Sequence, residues 1–207
     1  MKKLLIAVYP TGTGSAGVFL TWNAGGLPER MSRGKPDDVA FIRILVKTLV
    51  DEGIADPKRI YVTGPSNGGM MTLRLLCEAP ELFAAAAPII ASLPVDTASK
   101  CKPTRPLPVL VINGTADPLV PYAGGGVGFA GRRGNVISTD ETMTRLRRIN
   151  GCSDASTTQR LPDLDPNDHS TVMVTSWTRC SSSAPVVLYP SMAAAIAFLT
   201  VMASECR

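Results

Sequence analysis

Residues 59–73 read RIYVTGPSNGGMMTL, and the fold turns on how this stretch is read. Ile60, Tyr61 and Val62 are β-branched or aromatic, the composition of a buried strand. Gly64-Pro65-Ser66-Asn67-Gly68 then matches G-x-S-x-G. Met70, Met71, Leu73, Leu75 and Leu76 follow as the apolar face of a helix. Strand, sharp turn and helix is the context in which this motif carries a nucleophile. Glycines two before and two after Ser66 leave room for a backbone turn too tight for side chains there. Such a turn presents Ser66 Oγ at the top of a sheet. It also aims the Asn67 N–H and the helix N-terminus at an oxyanion formed beside it. The plainer reading is a βα turn with a chance serine.

Working outward, strands and helices alternate. Residues 4–8, 83–91, 109–112, 172–177 and 186–189 are apolar runs that read as strands. Helices are expected from Asp37 to about Glu52, after Ser66 to about Ala79, and from Ser138 to Asn150, where Ser138 with Glu141 forms a capping box. Residues 192–203 read as a closing apolar helix, and 93–108 as a proline-rich loop. Fully apolar strands such as 109–112 suit a parallel sheet covered on both faces. The expectation is a single α/β domain over residues 1–207, without a repeat or linker. Asp117 follows the strand at 109–112. Nucleophile first and acid later is the order of an α/β-hydrolase-like, mostly parallel sheet with helices on both faces.

Composition narrows the function. The chain has 207 residues, 45% apolar and 18% charged, with a net charge of +4. The basic clusters are short and aromatics do not interleave with them, so no nucleic-acid partner is expected. No run approaches a membrane span. The start, MKKLLIAV, imitates a signal peptide but ends in Tyr9-Pro10 without a small-residue cleavage site, so it reads as a strand and localisation is left unknown. Glycines 124–126 and 128 follow no strand and open no helix, which leaves a nucleotide-binding reading without its loop. Five cysteines lack C-x-x-C spacing and His169 is the one histidine, so no metal site is expected. Cys152 and Cys180 flank a segment read as a hairpin, while Cys77 ends a helix near Cys101 in sequence. The expected pairs are Cys152–Cys180 and Cys77–Cys101, with Cys206 free.

Several motifs in order resemble the polyhydroxybutyrate depolymerase and feruloyl esterase group of α/β-hydrolases. They are Val8-Tyr9-Pro10, Trp22-Asn23, Asp37-Asp38-Val39-Ala40-Phe41-Ile42 and the run from Tyr61 through Ser66 to Met71. Leu82-Phe83-Ala84-Ala85, the run from Gly114 through Asp117 to Tyr122, Asn150-Gly151-Cys152 and Val186-Val187-Leu188-Tyr189 continue the likeness. The resemblance implies a serine esterase without a cofactor, acting on small ester substrates, with Ser66 as nucleophile and Asp117 as acid. It also implies secretion. Asn67, Trp22 and Pro65 are the expected oxyanion and binding residues.

The departures from that pattern are as informative. The family carries further strands and a His-Gly oxyanion loop before the Tyr-Pro strand, so a sheet lacking the N-terminal strands is expected here. An unpaired sheet edge would favour a homodimer. The strand before the acid ends in Asn113-Gly114 where the family has His-Gly. After Tyr189 comes Pro190-Ser191 in place of a glycine-rich turn with histidine. A serine hydroxyl needs a base, and Asp117 orients an imidazole without replacing it. His169 follows Asp117 in chain order and is the candidate base, in a polar stretch that equally reads as a solvated loop. The leading reading is a serine carboxylesterase acting on soluble short-chain or aryl, feruloyl-type esters through an acyl-enzyme on Ser66. The alternative is a catalytically impaired remnant serving as a binding or scaffold domain.

Overall fold

The computed structural model describes residues 5–14, 20–26, 34–164, 167, 170–181 and 183–192. Their elements, in chain order, are α1 (Asp38–Asp51), β1 (Tyr61–Pro65), α2 (Asn67–Glu78), β2 (Ala85–Ile89), α3 (Val95–Lys100), β3 (Val109–Gly114), β4 (Gly125–Gly126), β5 (Asn135–Val136), α4 (Thr139–Ile149), β6 (Thr157–Arg160), β7 (Met173–Trp177) and β8 (Val186–Ser191). One sheet runs in the order β1-β2-β3-β8-β7-β6. Strands β1, β2, β3 and β8 are parallel, and β7 and β6 return antiparallel. β4 and β5 form a separate two-stranded ribbon.

The helix caps follow the sequence. Asp37 Oδ1 accepts from Ala40 N at 3.1 Å and starts α1. Ser138 Oγ accepts from Glu141 N at 3.0 Å and starts α4. The reciprocal half of the capping box is absent, because the Glu141 carboxylate pairs with Arg145 one turn on. α2 is the central helix. Its Met70, Met71, Leu73, Leu75 and Leu76 are buried, together with Val109, Val111, Val186 and Leu188 of the sheet. Such apolar burial is the main drive to fold, at about 25 cal/mol per Å².

Three expectations need correcting. Residues 5–8 form no strand; Leu5 is 86% exposed, and among the described residues the apolar run has no strand partner and β1 is the edge of the sheet. The strand expected at 83–91 is shorter, Ala85–Ile89. Within the proline-rich loop, Val95–Lys100 forms a six-residue helix with Pro94 at its N-cap. The closing helix expected at 192–203 and the free Cys206 lie outside the described residues, save for Met192. Among the described residues no helix is long and apolar enough to cross a membrane.

Both disulfides form as expected, Cys77–Cys101 and Cys152–Cys180, across separations of 24 and 28 residues. Closing loops of that length stabilises each by about 3.5 kcal/mol in the chain-entropy account. Replacing both members of either pair by alanine should lower the urea-unfolding free energy by about 2–4 kcal/mol. A change below about 0.5 kcal/mol for both pairs would show that the native chain is held without them.

Candidate active site

Ser66 stands at the C-terminal end of β1, with φ 52° and ψ −118°. A non-glycine residue with positive φ is uncommon and is held there only by its surroundings. Ser66 N donates to Ile89 O at 2.9 Å, and Ser66 O accepts from Met70 N at 2.9 Å. Ser66 is the N-cap of α2, yet its side chain makes no capping bond. The hydroxyl is therefore exposed and not spent on the helix. Pro65 ends an edge strand, where a missing N–H is tolerated.

The glycines divide unequally. A Cβ on Gly64 would sit 2.8 Å from Gly68 C, and one on Gly69 would sit 2.6 Å from Ala91 Cβ and 2.7 Å from Ile89 O. A Cβ on Gly68 would meet only Pro65 Cδ, at 3.8 Å. The second glycine of the motif is thus sterically free as far as its own side chain is concerned. Gly69, outside the motif, carries the close approach between α2 and β2. Gly69→Ala should lower unfolding stability by about 1–3 kcal/mol through overpacking, whereas Gly68→Ala should be neutral or slightly stabilising in a helix. Thermal unfolding of the two proteins checks this; equal losses would overturn it.

Asn67 is the first residue of α2, so its backbone N–H has no intrahelical acceptor. Its side chain has another task. Asn67 Oδ1 accepts from Trp22 N at 2.6 Å, and Nδ2 donates to Trp22 O at 3.2 Å. The Trp22 ring stacks on Phe41 at 6.4 Å between centroids. Trp22 is thereby fixed beside the elbow by its backbone. A cavity of about 240 Å³ opens there, bordered by Tyr9, Pro10, Trp22, Pro65 and Gly68. A larger apolar groove of about 460 Å³ lies over the opposite ends of the strands, beside Tyr61, Ala85, Pro108 and Pro185, away from Ser66.

Asp117 lies in the loop after β3, at the same sheet edge as Ser66, and is 6% exposed. Its Oδ1 accepts from Leu119 N at 2.8 Å and from Val120 N at 2.9 Å. Its Oδ2 is buried and has no hydrogen-bond partner among the described residues. A buried carboxylate oxygen without a donor is costly, and such an oxygen is what would receive an imidazole N–H. Tyr122 is no substitute base. Its phenol is pushed up to about 12, first by burial and then by the neighbouring Asp140 carboxylate. It stays protonated at any pH suited to an ester assay.

β8 ends beside Asp117's loop, where Thr115 N donates to Ser191 O at 2.8 Å. β7 is antiparallel to β8, so its start is at this same edge. Met192 N donates to Thr171 O at 2.9 Å, and Leu161 N to Val172 O at 2.9 Å. The β6–β7 connection therefore leaves and re-enters the sheet at the edge carrying Ser66 and Asp117. Neighbouring strands are about 4.8 Å apart, which puts β7 roughly 10 Å from β3. His169 belongs to this connection but itself lies outside the described residues. No cluster of three or more metal-ligating side chains occurs among the described residues.

The model of the prolyl oligopeptidase family matches residues 5–96. A provisionally named esterase, NocK of Nocardia uniformis subsp. tsuyamanensis, is 35% identical over 75% of this chain and 47% of its own. Feruloyl esterase B of Piromyces equi is 36% identical over 56% of this chain and 22% of its own. The chain thus spans less than half the length of either relative. A solved acetyl xylan esterase from Aspergillus awamori superposes with a TM-score of 0.52 at 16% identity, covering 82% of this chain and 66% of that one. At that identity the likeness concerns the fold alone. The parallel sheet, the elbow and these matches together give the chain an α/β-hydrolase-like fold whose sequence relatives include esterases.

Proposed function

We propose that this chain is a serine carboxylesterase that acts on soluble short-chain or aryl esters, including feruloyl-type esters, through an acyl-enzyme on Ser66. One observation carries the reading. The Ser66 hydroxyl is exposed on a strained strand-to-helix elbow, with a buried, singly used carboxylate, Asp117, at the same sheet edge. Similarity to a feruloyl esterase and to acetylxylan esterases supports esters as the substrate class.

In this reading His169 takes the Ser66 Oγ proton as Oγ attacks the ester carbonyl carbon. The tetrahedral oxyanion receives the Asn67 N–H and the positive end of α2. The intermediate collapses, and the alcohol or phenol leaves with the proton held by the imidazole. Water then enters by the same route in reverse, releasing the acid and restoring Ser66. Asp117 Oδ2 accepts from the imidazole N–H and stabilises its cation. The cavity bordered by Trp22 and Pro65 takes the apolar part of the ester.

The match to the prolyl oligopeptidase model favours a second reading, in which the same nucleophile cleaves an amide. Hydrolysis of p-nitrophenyl butyrate against a p-nitroanilide separates the two. Ester turnover that vanishes with Ser66→Ala supports the proposal. Turnover of neither substrate by the folded protein would overturn it and favour the binding or scaffold alternative.

A further inference from the structure

Two strained residues face each other at the active edge. Ser66 has φ 52° and Ile90 has φ 51°, and the chains that carry them are joined by the Ser66 N–H bond to Ile89 O at 2.9 Å. Positive φ is least suited to a β-branched residue such as Ile90. Something must therefore hold the Ile89–Ala91 corner in place. The backbone supplies the Ser66 N bond to Ile89 O and a second from Ile90 N to Ile112 O at 2.7 Å. At Ala91 the bonds come from a side chain, that of Asn113.

Asn113, 5% exposed near the end of β3, grips Ala91 from both sides. Its Oδ1 accepts from Ala91 N at 2.9 Å, and its Nδ2 donates to Ala91 O at 3.1 Å. Nδ2 also donates to Thr139 Oγ1 at 2.9 Å and lies 3.5 Å from Ser92 Oγ. Ser92 and Thr139 are fully buried, with their hydroxyls 3.1 Å apart. Gly69 of α2 presses on the same corner, since a Cβ there would strike Ala91 Cβ and Ile89 O. The carboxamide thus fixes the platform on which the elbow is seated.

We infer that Asn113 is a positioning residue for the nucleophile: it holds Ile90 in its left-handed conformation and thereby sets the Ile89 carbonyl that fixes Ser66. Asn113 touches no reacting atom. A carboxamide suits the task because it offers an acceptor and a donor at once. A carboxylate of the same shape would keep the bond from Ala91 N and turn the donated bond to the Ala91 carbonyl into a repulsion. The effect on catalysis rests on the esterase reading above. The effect on the Ser66 amide does not.

The experiment compares the unmutated protein with Asn113→Ala, Asn113→Asp and Thr139→Val. Amide hydrogen exchange at Ser66 is read beside amides of β7, three strands from Ile90, and hydrolysis of p-nitrophenyl butyrate is measured in parallel. The expected result is exchange at Ser66 at least about 10-fold faster in Asn113→Ala with the β7 amides unchanged, a local opening in place of a global one. kcat should fall on the order of 100-fold with KM within about twofold, the loss that a misplacement near 1 Å brings. Thr139→Val keeps the grip on Ala91, and its losses should be several-fold smaller. Should Asn113→Ala fail to fold, Asn113→Asp and Thr139→Val carry the same comparison in that order of severity. Exchange at Ser66 that stays unchanged, or that rises only in step with β7, overturns the inference. So does an unchanged kcat beside an unmutated protein that is active. If the unmutated protein hydrolyses nothing, the esterase reading falls, and the Ser66 exchange still decides for or against Asn113.

Discussion

Ser66→Ala should remove hydrolysis of p-nitrophenyl butyrate by on the order of 10⁵–10⁶-fold, down to the rate that oxyanion stabilisation and binding alone supply. The argument starts from the elbow. Ser66 is exposed, its hydroxyl makes no helix cap, and its backbone is held in a positive-φ conformation by bonds on either side. The hydroxyl is thus presented and not used by the helix, which takes only the Ser66 carbonyl, as acceptor from Met70 N. Alanine keeps both backbone bonds, so the fold should persist and circular dichroism should be unchanged. A fluorophosphonate should label Ser66 in the unmutated protein and leave no adduct in Ser66→Ala, because such reagents need an activated hydroxyl. Mass spectrometry that places the adduct on another serine would move the nucleophile. No labelling of any serine, under conditions that modify an ordinary esterase, would remove the catalytic reading altogether.

What could be read from the sequence was what is local. The run from Tyr61 to Glu78 announces itself because a β-branched strand, a glycine-flanked serine and a helical apolar face occur in consecutive residues. The helix caps at Asp37 and Ser138 each span four residues, and both side chains cap as expected, although the Glu141 half of the box does not form. The place of Asp117 in the loop after β3 was legible from the apolar strand before it, though its orphaned Oδ2 was not. Non-local facts stayed hidden. Residues 5–8 have strand composition, but a strand exists only if a neighbour pairs with it, and β1 offers them no ladder. Ile90 is the last residue type one would place at positive φ, and the amide that holds it lies 22 residues from Ala91 in sequence. Asn113 read merely as a departure from a His-Gly pattern, with no hint of its grip on β2. The close approach at Gly69 has one signal in the sequence, a second glycine straight after the motif.

Asp117→Asn and His169→Ala should each lower kcat by on the order of 10⁴-fold, and the double variant should lose little more than either alone. Asp117 uses one oxygen on its own loop, at Leu119 N and Val120 N, and keeps the other buried without a donor. A carboxylate arranged in this way can orient an imidazole and stabilise its cation, so its value exists only while the imidazole is present. The β6–β7 connection that contains His169 begins and ends at the edge where Asp117 sits. The two residues should therefore act as one unit, and units are non-additive. The pH dependence supplies an independent readout. A general base works when neutral, so kcat/KM should rise with pH through the ordinary imidazole range near 6.5, and a carboxylate that accepts from the imidazole would move that rise upward. Asp117→Asn should shift that rise to lower pH, and His169→Ala should abolish it and leave a flat residual rate. Losses that multiply in the double variant would show that the two side chains act separately. Activity that survives His169→Ala but not Ser66→Ala would rule out His169 as the base and leave proton removal to water.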